Sequence, residues 1–237
     1  MDAPQPPETP VRKKKRRLKG EPLSRRLNSS GAGQWVIAGF VRGTMGVVKA
    51  LGSAWSGALV GGIAAGIGRL LPQNRIARDN IAAAFPEKSE AERETILRGS
   101  WRSFGRLLSE YVHLEKLVAD VDPEHPVGGE IEVTGVDQFI SLRDDGRPGI
   151  VFSAHLGCWE MLPVVAARFG LPLLSLYRAP VNSVLAEDLA RRREALMGKL
   201  VDSGRGATFE IGAALERGDH LGLLTDQYHH SGPPVTF

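Results

Sequence analysis

Gly149-Ile150-Val151-Phe152-Ser153-Ala154-His155-Leu156-Gly157-Cys158-Trp159-Glu160 is the stretch on which the fold turns. It opens on a short apolar run, and an apolar helical pattern leads out of it from Trp159 to Phe169. The stretch therefore reads as the turn between a buried strand and a helix. Such turns, at the C-terminal ends of parallel strands, are where α/β proteins tend to place their chemistry. The turn carries a base, His155, and an acid, Glu160. Residues five apart on one helix stand about 140° apart around its axis. The two converge only if His155 sits in the turn and Glu160 in the first helical turn. There the carboxylate would orient the imidazole and stabilise its charge, the relation a general base needs. The plain alternative is a core or capping histidine beside a surface glutamate.

Downstream of the turn, β and α patterns alternate. Strands are expected at 149–153, 172–177, 199–202 and 220–225, and helices at 158–169, 183–197 and 207–217. Short connections through helices imply a parallel sheet with right-handed crossovers. Two further polar clusters fall at the same sheet edge. Arg178 follows the apolar run Leu173–Leu176, with Asn182 close behind, and Thr225-Asp226-Gln227 closes the run Leu221–Leu224. An arginine in that position can hold a phosphate or a developing oxyanion, or simply a helix-end ion pair.

Upstream, Glu130-Ile131-Glu132-Val133 alternates as a strand, and Val136–Leu142 suggests a helix ending before Gly146-Arg147-Pro148. Residues 74–85 and 89–118 look helical, separated by Pro86, with Ser89 and Glu92 spaced as a capping box. In the second of them Ile96, Trp101, Phe104, Leu107, Leu108, Tyr111 and Leu114 form one apolar face, which reads as core.

From Trp35 to Leu71 the sequence is apolar and small, and residues 50–68 carry no charge. Nineteen helical residues reach roughly 28 Å, close to the thickness of a bilayer core. Six glycines dilute that window, so a buried helical hairpin is the alternative. Gly57-x-x-x-Gly61 and Gly62-x-x-x-Gly66 permit close helix approach in either setting. The basic arm just upstream favours a membrane anchor with a cytoplasmic N-terminus. That arm, within residues 1–33, is rich in Pro, Lys, Arg and Ser and reads as a disordered tail. Residues 1–26 hold nine Lys/Arg against Asp2, Glu8 and Glu21, so a chain of net charge +3 is net acidic outside them. No nucleic-acid-binding domain is expected from that balance.

The expected organisation is thus a basic disordered tail (1–33), a hydrophobic membrane-anchor segment (34–72) and an α/β domain (73–237) with a mostly parallel sheet flanked by helices. The single cysteine, Cys158, excludes an internal disulfide. As a nucleophile it would use His155 as base, but no third orienting group is evident. As a zinc ligand it would need His220, His229 and His230, which lack the tight spacing of zinc sites. Cys158 reads as a small apolar filler, and no metal or cofactor is expected.

His155 with Glu160 resembles the HX4(D/E) box of the glycerolipid and lysophospholipid acyltransferase superfamily. The surrounding motifs are similar to the bacterial lipid A biosynthesis acyltransferases. Asn80-Ile81 to Phe85-Pro86, then Ser89–Arg93, resembles that family's Asn-Leu…Phe-Pro segment and the acidic helix start after it. Tyr177-Arg178 with Asn182 resembles its Tyr-Arg-Pro…Asn segment, with Ala179 in place of the usual proline. Leu223–Gln227 resembles its Asp-Gln strand end, and Val235-Thr236-Phe237 the start of its Phe-Phe-Gly segment. Four motifs in family order are specific where one alone would be weak. The resemblance covers about residues 40–237 and implies continuation beyond Phe237.

It also implies a membrane-bound enzyme of the bacterial inner membrane, its catalytic domain on the cytoplasmic side. Acyl-carrier protein would donate the acyl thioester and a lipid A precursor would accept it. His155 would be the general base, oriented by Glu160, with Arg178, Asn182, Asp226 and Gln227 binding substrate or oxyanion. Another glycolipid or a lysophospholipid is the alternative acceptor. A non-catalytic membrane-anchored binding domain, or a hydrolase using Cys158, are the alternatives of another class.

Overall fold

The computed structural model describes Asn28, residues 30–119, Val121, 130–204 and 206–227. The basic residues up to Leu27, residues 122–129, and the segment holding His229, His230 and Val235–Phe237 lie outside the described residues. Four short apolar runs form one parallel sheet: β1 (Ile150–Ser153), β2 (Leu173–Tyr177), β3 (Leu200–Asp202) and β4 (His220–Leu224). Their order across the sheet is β1-β4-β2-β3, with Ser153 level with Leu224, Ser175 with Gly222, and Tyr177 with Asp202. These are the four strands expected from the alternation.

The expected strand at Glu130–Val133 does not form. That segment joins no ladder, yet Ile131 and Val133 pack on the main core cluster. Its alternation records one buried side, and burial needs no hydrogen-bonded neighbour.

Helices α6 (Met161–Arg168), α7 (Ser183–Met197) and α8 (Ala207–Glu216) make the crossovers. Travel from β1 to β2 to β3 runs one way across the sheet, and the return to β4 runs the other. Right-handed crossovers therefore put α6 and α7 on one face and α8 on the opposite one. The core divides accordingly. Val164, Val165 and Phe169 of the α6 region meet Met197 of α7 on one side, together with Leu114. On the other side Leu174, Val201 and Leu221 meet Ala214, Ile211 and Leu215 of α8.

The N-terminal third is helical: α1 (Gly31–Leu51), α2 (Ser53–Ile67), a 3-10 turn (Gly68–Leu70), α3 (Gln73–Ala84) and α4 (Glu90–Leu117), before α5 (Val136–Asp144). The capping box at Ser89 and Glu92 is present. Gly52, at φ +77°, separates α1 from α2, so the uncharged segment 50–68 is broken near its start rather than forming one span. Among the described residues no single helix is long and apolar enough to cross a membrane. The stretches Ser53–Leu70 and Gln73–Ala84 pass that test only together, bent by 92°.

One side of α2 is packed tightly on α4. A Cβ at Gly105 would lie 2.5 Å from the Val60 carbonyl oxygen, so only glycine allows this approach. The Ser56, Ser109 and His113 side chains are buried at the same contact and hydrogen-bonded to one another through Ser56 Oγ. Outward, Trp35 and Phe40 of α1 and Trp55 and Ile63 of α2 are exposed. Arg42 of α1 pairs with Asp188 of α7 at 2.8 Å, tying this third to the sheet domain.

Candidate active site

The register positions the site. Ser153 of β1 is level with Leu224 of β4, and the ladder closes with Thr225 N–H donating to the Ser153 carbonyl at 3.1 Å. Two residues beyond that last level on each strand stand His155 and Asp226. Asp226 Oδ1 is 2.8 Å from His155 Nδ1, and Oδ2 accepts the His155 backbone N–H at 2.9 Å. With Nδ1–H donating to the carboxylate, Nε2 keeps its lone pair and accepts from the Gln227 amide at 3.2 Å. The ring of Trp159 meets the imidazole edge-on, centroids 4.9 Å apart. Gly157, at φ +51°, turns the chain between His155 and α6. The hydrogen bonds from the His155 side chain and backbone hold the Asp226 carboxyl below the ordinary carboxylate range.

Glu160 is not hydrogen-bonded to His155 among the described residues. Its carboxylate accepts both Nε–H and a terminal N–H of Arg193, a bidentate pair in which Glu160 is buried and Arg193 mostly so. The carboxylate hydrogen-bonded to His155 is Asp226. The reason is topological. Glu160 precedes α6 at the face covered by α7, where Arg193 approaches, whereas Asp226 leaves the strand that neighbours β1.

Asn182 is also used elsewhere. Its Oδ1 accepts the Leu185 N–H and caps α7, and its Nδ2 donates to the Gln34 carbonyl and to Asn28 Oδ1. The side chain is buried and outside the cavity lining, and its described hydrogen bonds are structural. Arg178, exposed at the end of β2, does line the cavity. Burial, with Glu110 and Glu160 nearby, pushes the Cys158 thiol up to about 11, which leaves it protonated and poorly nucleophilic at neutral pH. Among the described residues no group of three or more His, Cys, Asp or Glu is arranged to hold a metal ion.

His155 lies at the polar end of a cavity of about 490 Å³, between the sheet and the helices α6 and α7. His155, Gln227, Arg178, Glu160 and Arg193 line its polar end. Val151, Leu162, Pro163, Leu173, Met197 and Leu200 line its apolar part. A pocket of this size with a few convergent polar groups suits one small or elongated ligand. Sequence reasoning missed Arg193. It is one of three consecutive arginines in α7, and only the packing of α7 on α6 selects it. The pairing of Asp226 with His155 was also missed. The sequence puts both residues at one sheet edge, but it does not say which strands are neighbours.

Fold and site together define a parallel α/β protein with an acid–base pair at the head of an apolar slot. The chain belongs to the bacterial lipid A biosynthesis acyltransferase family, whose model matches residues 24–236. It is similar to the lipid A biosynthesis palmitoleoyltransferase of Escherichia coli (strain K12) and to a lipid A biosynthesis acyltransferase of Shigella flexneri. Each is 29% identical over 154 residues, which cover 64% of this chain and 47% of the relative. The chain thus aligns over about half the length of these relatives.

Proposed function

We propose that this chain transfers a fatty acyl group from the thioester of acyl-carrier protein to a hydroxyl of a lipid A precursor. The observation that carries this reading is the His155 imidazole, held at Nδ1 by Asp226, heading a slot that is polar at one end and apolar along its length. In this reading Nε2 takes the proton of the acceptor hydroxyl as its oxygen attacks the thioester carbonyl. The tetrahedral intermediate collapses with loss of the C–S bond, and the departing carrier thiolate takes the proton back. Asp226 keeps the imidazole in the required tautomer and stabilises its positive charge. General-base help of this kind is worth on the order of 10²–10⁴-fold. Arg178 faces the oxyanion or a lipid phosphate, worth on the order of 10²–10³-fold. Glu160, paired with Arg193, fixes a second guanidinium in the wall of the cavity.

The exposed apolar sides of α1 and α2 support a membrane-associated protein; in this reading its site faces the cytoplasm at the bacterial inner membrane. Family membership supports a lipid A precursor as acceptor in preference to another glycolipid or a lysophospholipid.

Mass spectrometry of lipids from cells lacking the protein, and from cells expressing it or its His155→Ala variant, tests the reading. One acyl chain is expected to appear on lipid A with the wild type and to vanish with the variant. An unchanged lipid A profile, or full acylation by His155→Ala, refutes it. Gain of the chain on a different lipid replaces the acceptor.

A further inference from the structure

We infer that Gly222 and Ser175 set the length of acyl chain that the slot accepts, an inference that rests on the acyl-transfer reading. In a parallel sheet alternate residues share a face, and the cavity follows one face downward from the catalytic level. Its lining takes Ser153 and Val151 from β1, Leu224 and Gly222 from β4, and Tyr177, Ser175 and Leu173 from β2, with the intervening Leu223 and Leu176 also bordering it. The pairings Val151 with Gly222 and Ser175 with Gly222 put these residues at one depth. On the helix side Arg193 and Met197 are one turn apart on α7, the charged residue toward the polar end and the apolar one deeper. The slot therefore grades from polar to apolar along the strands, as a carboxyl-derived head with a hydrocarbon tail requires.

At its middle depth β4 and β2 present little bulk beside Val151 of β1. Gly222 has no side chain, and Ser175 beside it has a small one. A Cβ built on Gly222 would point to Leu173 Cδ1 at 3.3 Å and Ser175 Oγ at 3.6 Å, so it would enter the slot just above Leu173. Gly222 is four residues before Asp226, or about 13 Å along the strand. An extended chain advances about 1.3 Å per carbon, from C–C bonds of about 1.5 Å. A tail therefore passes Gly222 at about its tenth carbon. Leu173 pairs with His220 two residues further down, but its side chain reaches up beside Gly222 and forms the wall at that depth. A larger side chain at Gly222 or Ser175 closes the slot near the tenth carbon.

The test compares wild type, Gly222→Val and Ser175→Val in membranes. Each is offered saturated acyl-acyl-carrier proteins of graded chain length, from well below to well above ten carbons, with a lipid A precursor as acceptor. Both variants are expected to keep activity with the short donors and to lose it with long ones, by about fourfold per methylene that no longer fits. An unchanged chain-length profile in a folded variant overturns the inference. Ser175→Val keeps the test decisive should Gly222→Val fail to fold. Binding of free fatty acids of the same lengths, measured by calorimetry, is read beside turnover. A wild type that binds them but transfers from no carrier overturns the acyl-carrier reading alone, and binding that ignores Val at both positions overturns the slot.

Discussion

Replacing Arg193 by Met isolates the most deeply buried ion pair in the site. Glu160 is 8% exposed, and its two described side-chain hydrogen bonds both come from Arg193. Methionine keeps most of the aliphatic stem but removes the guanidinium, which leaves a carboxylate buried without a partner. Breaking a buried pair from one side costs about 3–5 kcal/mol, because the remaining charge is uncompensated. The guanidinium also lies 5.9 Å from the Tyr177 ring centroid, a contact worth about 0.5–1 kcal/mol at an exposed site. For a chain of this length each kcal/mol moves the melting temperature by about 2–4 °C, so the two losses together give a drop of roughly 7–24 °C. Glu160→Gln should cost less, about 1–3 kcal/mol, since its amide oxygen still accepts from Arg193.

The double variant Glu160→Gln with Arg193→Met removes both charges, and its cost should fall below the sum of the two by about 2–3 kcal/mol. Thermal unfolding of the detergent-solubilised chain, followed by circular dichroism, measures all four corners of the cycle. A drop under about 2 °C for Arg193→Met, or strict additivity in the cycle, would refute the pairing.

Asp226→Asn should lower kcat by about 10²–10⁴-fold. The His155 ring and backbone N–H groups each donate to one Asp226 oxygen, and asparagine has only one oxygen to offer. Steady-state turnover measures this, and a loss under tenfold would remove Asp226 from the machinery. The folded carboxyl is depressed by those bonds. Its stabilising contribution is therefore present above the unfolded value of about 3.9 and is lost as pH falls through the folded one. Urea unfolding between neutral pH and about pH 3 should accordingly show less acid sensitivity in Asp226→Asn. Cys158→Ser should keep most of its turnover, and the wild-type thiol should alkylate slowly at pH 7, since burial raises it to about 11. Rapid inactivation by iodoacetamide, protected by substrate, would restore Cys158 as a nucleophile.

The parallel strands and the site-bearing turn were legible in the sequence because both are local. A short apolar run bounded by polar turn residues specifies a buried strand, and His155, Arg178 and Asp226 each follow one within two residues. A capping box needs only Ser89 and Glu92 three residues apart, and it forms as read. The strand expected at Glu130–Val133 is absent for want of a partner. Ile131 and Val133 alternate like a strand, but pairing needs a neighbour, and the sequence names none. Residues 50–68 lack charge, and only the structure shows that Gly52 breaks them near their start and that α4 packs on one side of α2.

Glu160 was chosen as the partner of His155 because it is near in sequence, and Asp226 holds that place because β4 lies beside β1. Arg193 was invisible for the same reason. Periodicity and turn chemistry are carried by a few adjacent residues, so the chain by itself determined its elements and the edge at which its polar groups emerge. Strand order and helix packing are settled by burial over the whole domain, so only the tertiary structure decided which carboxylate meets the imidazole.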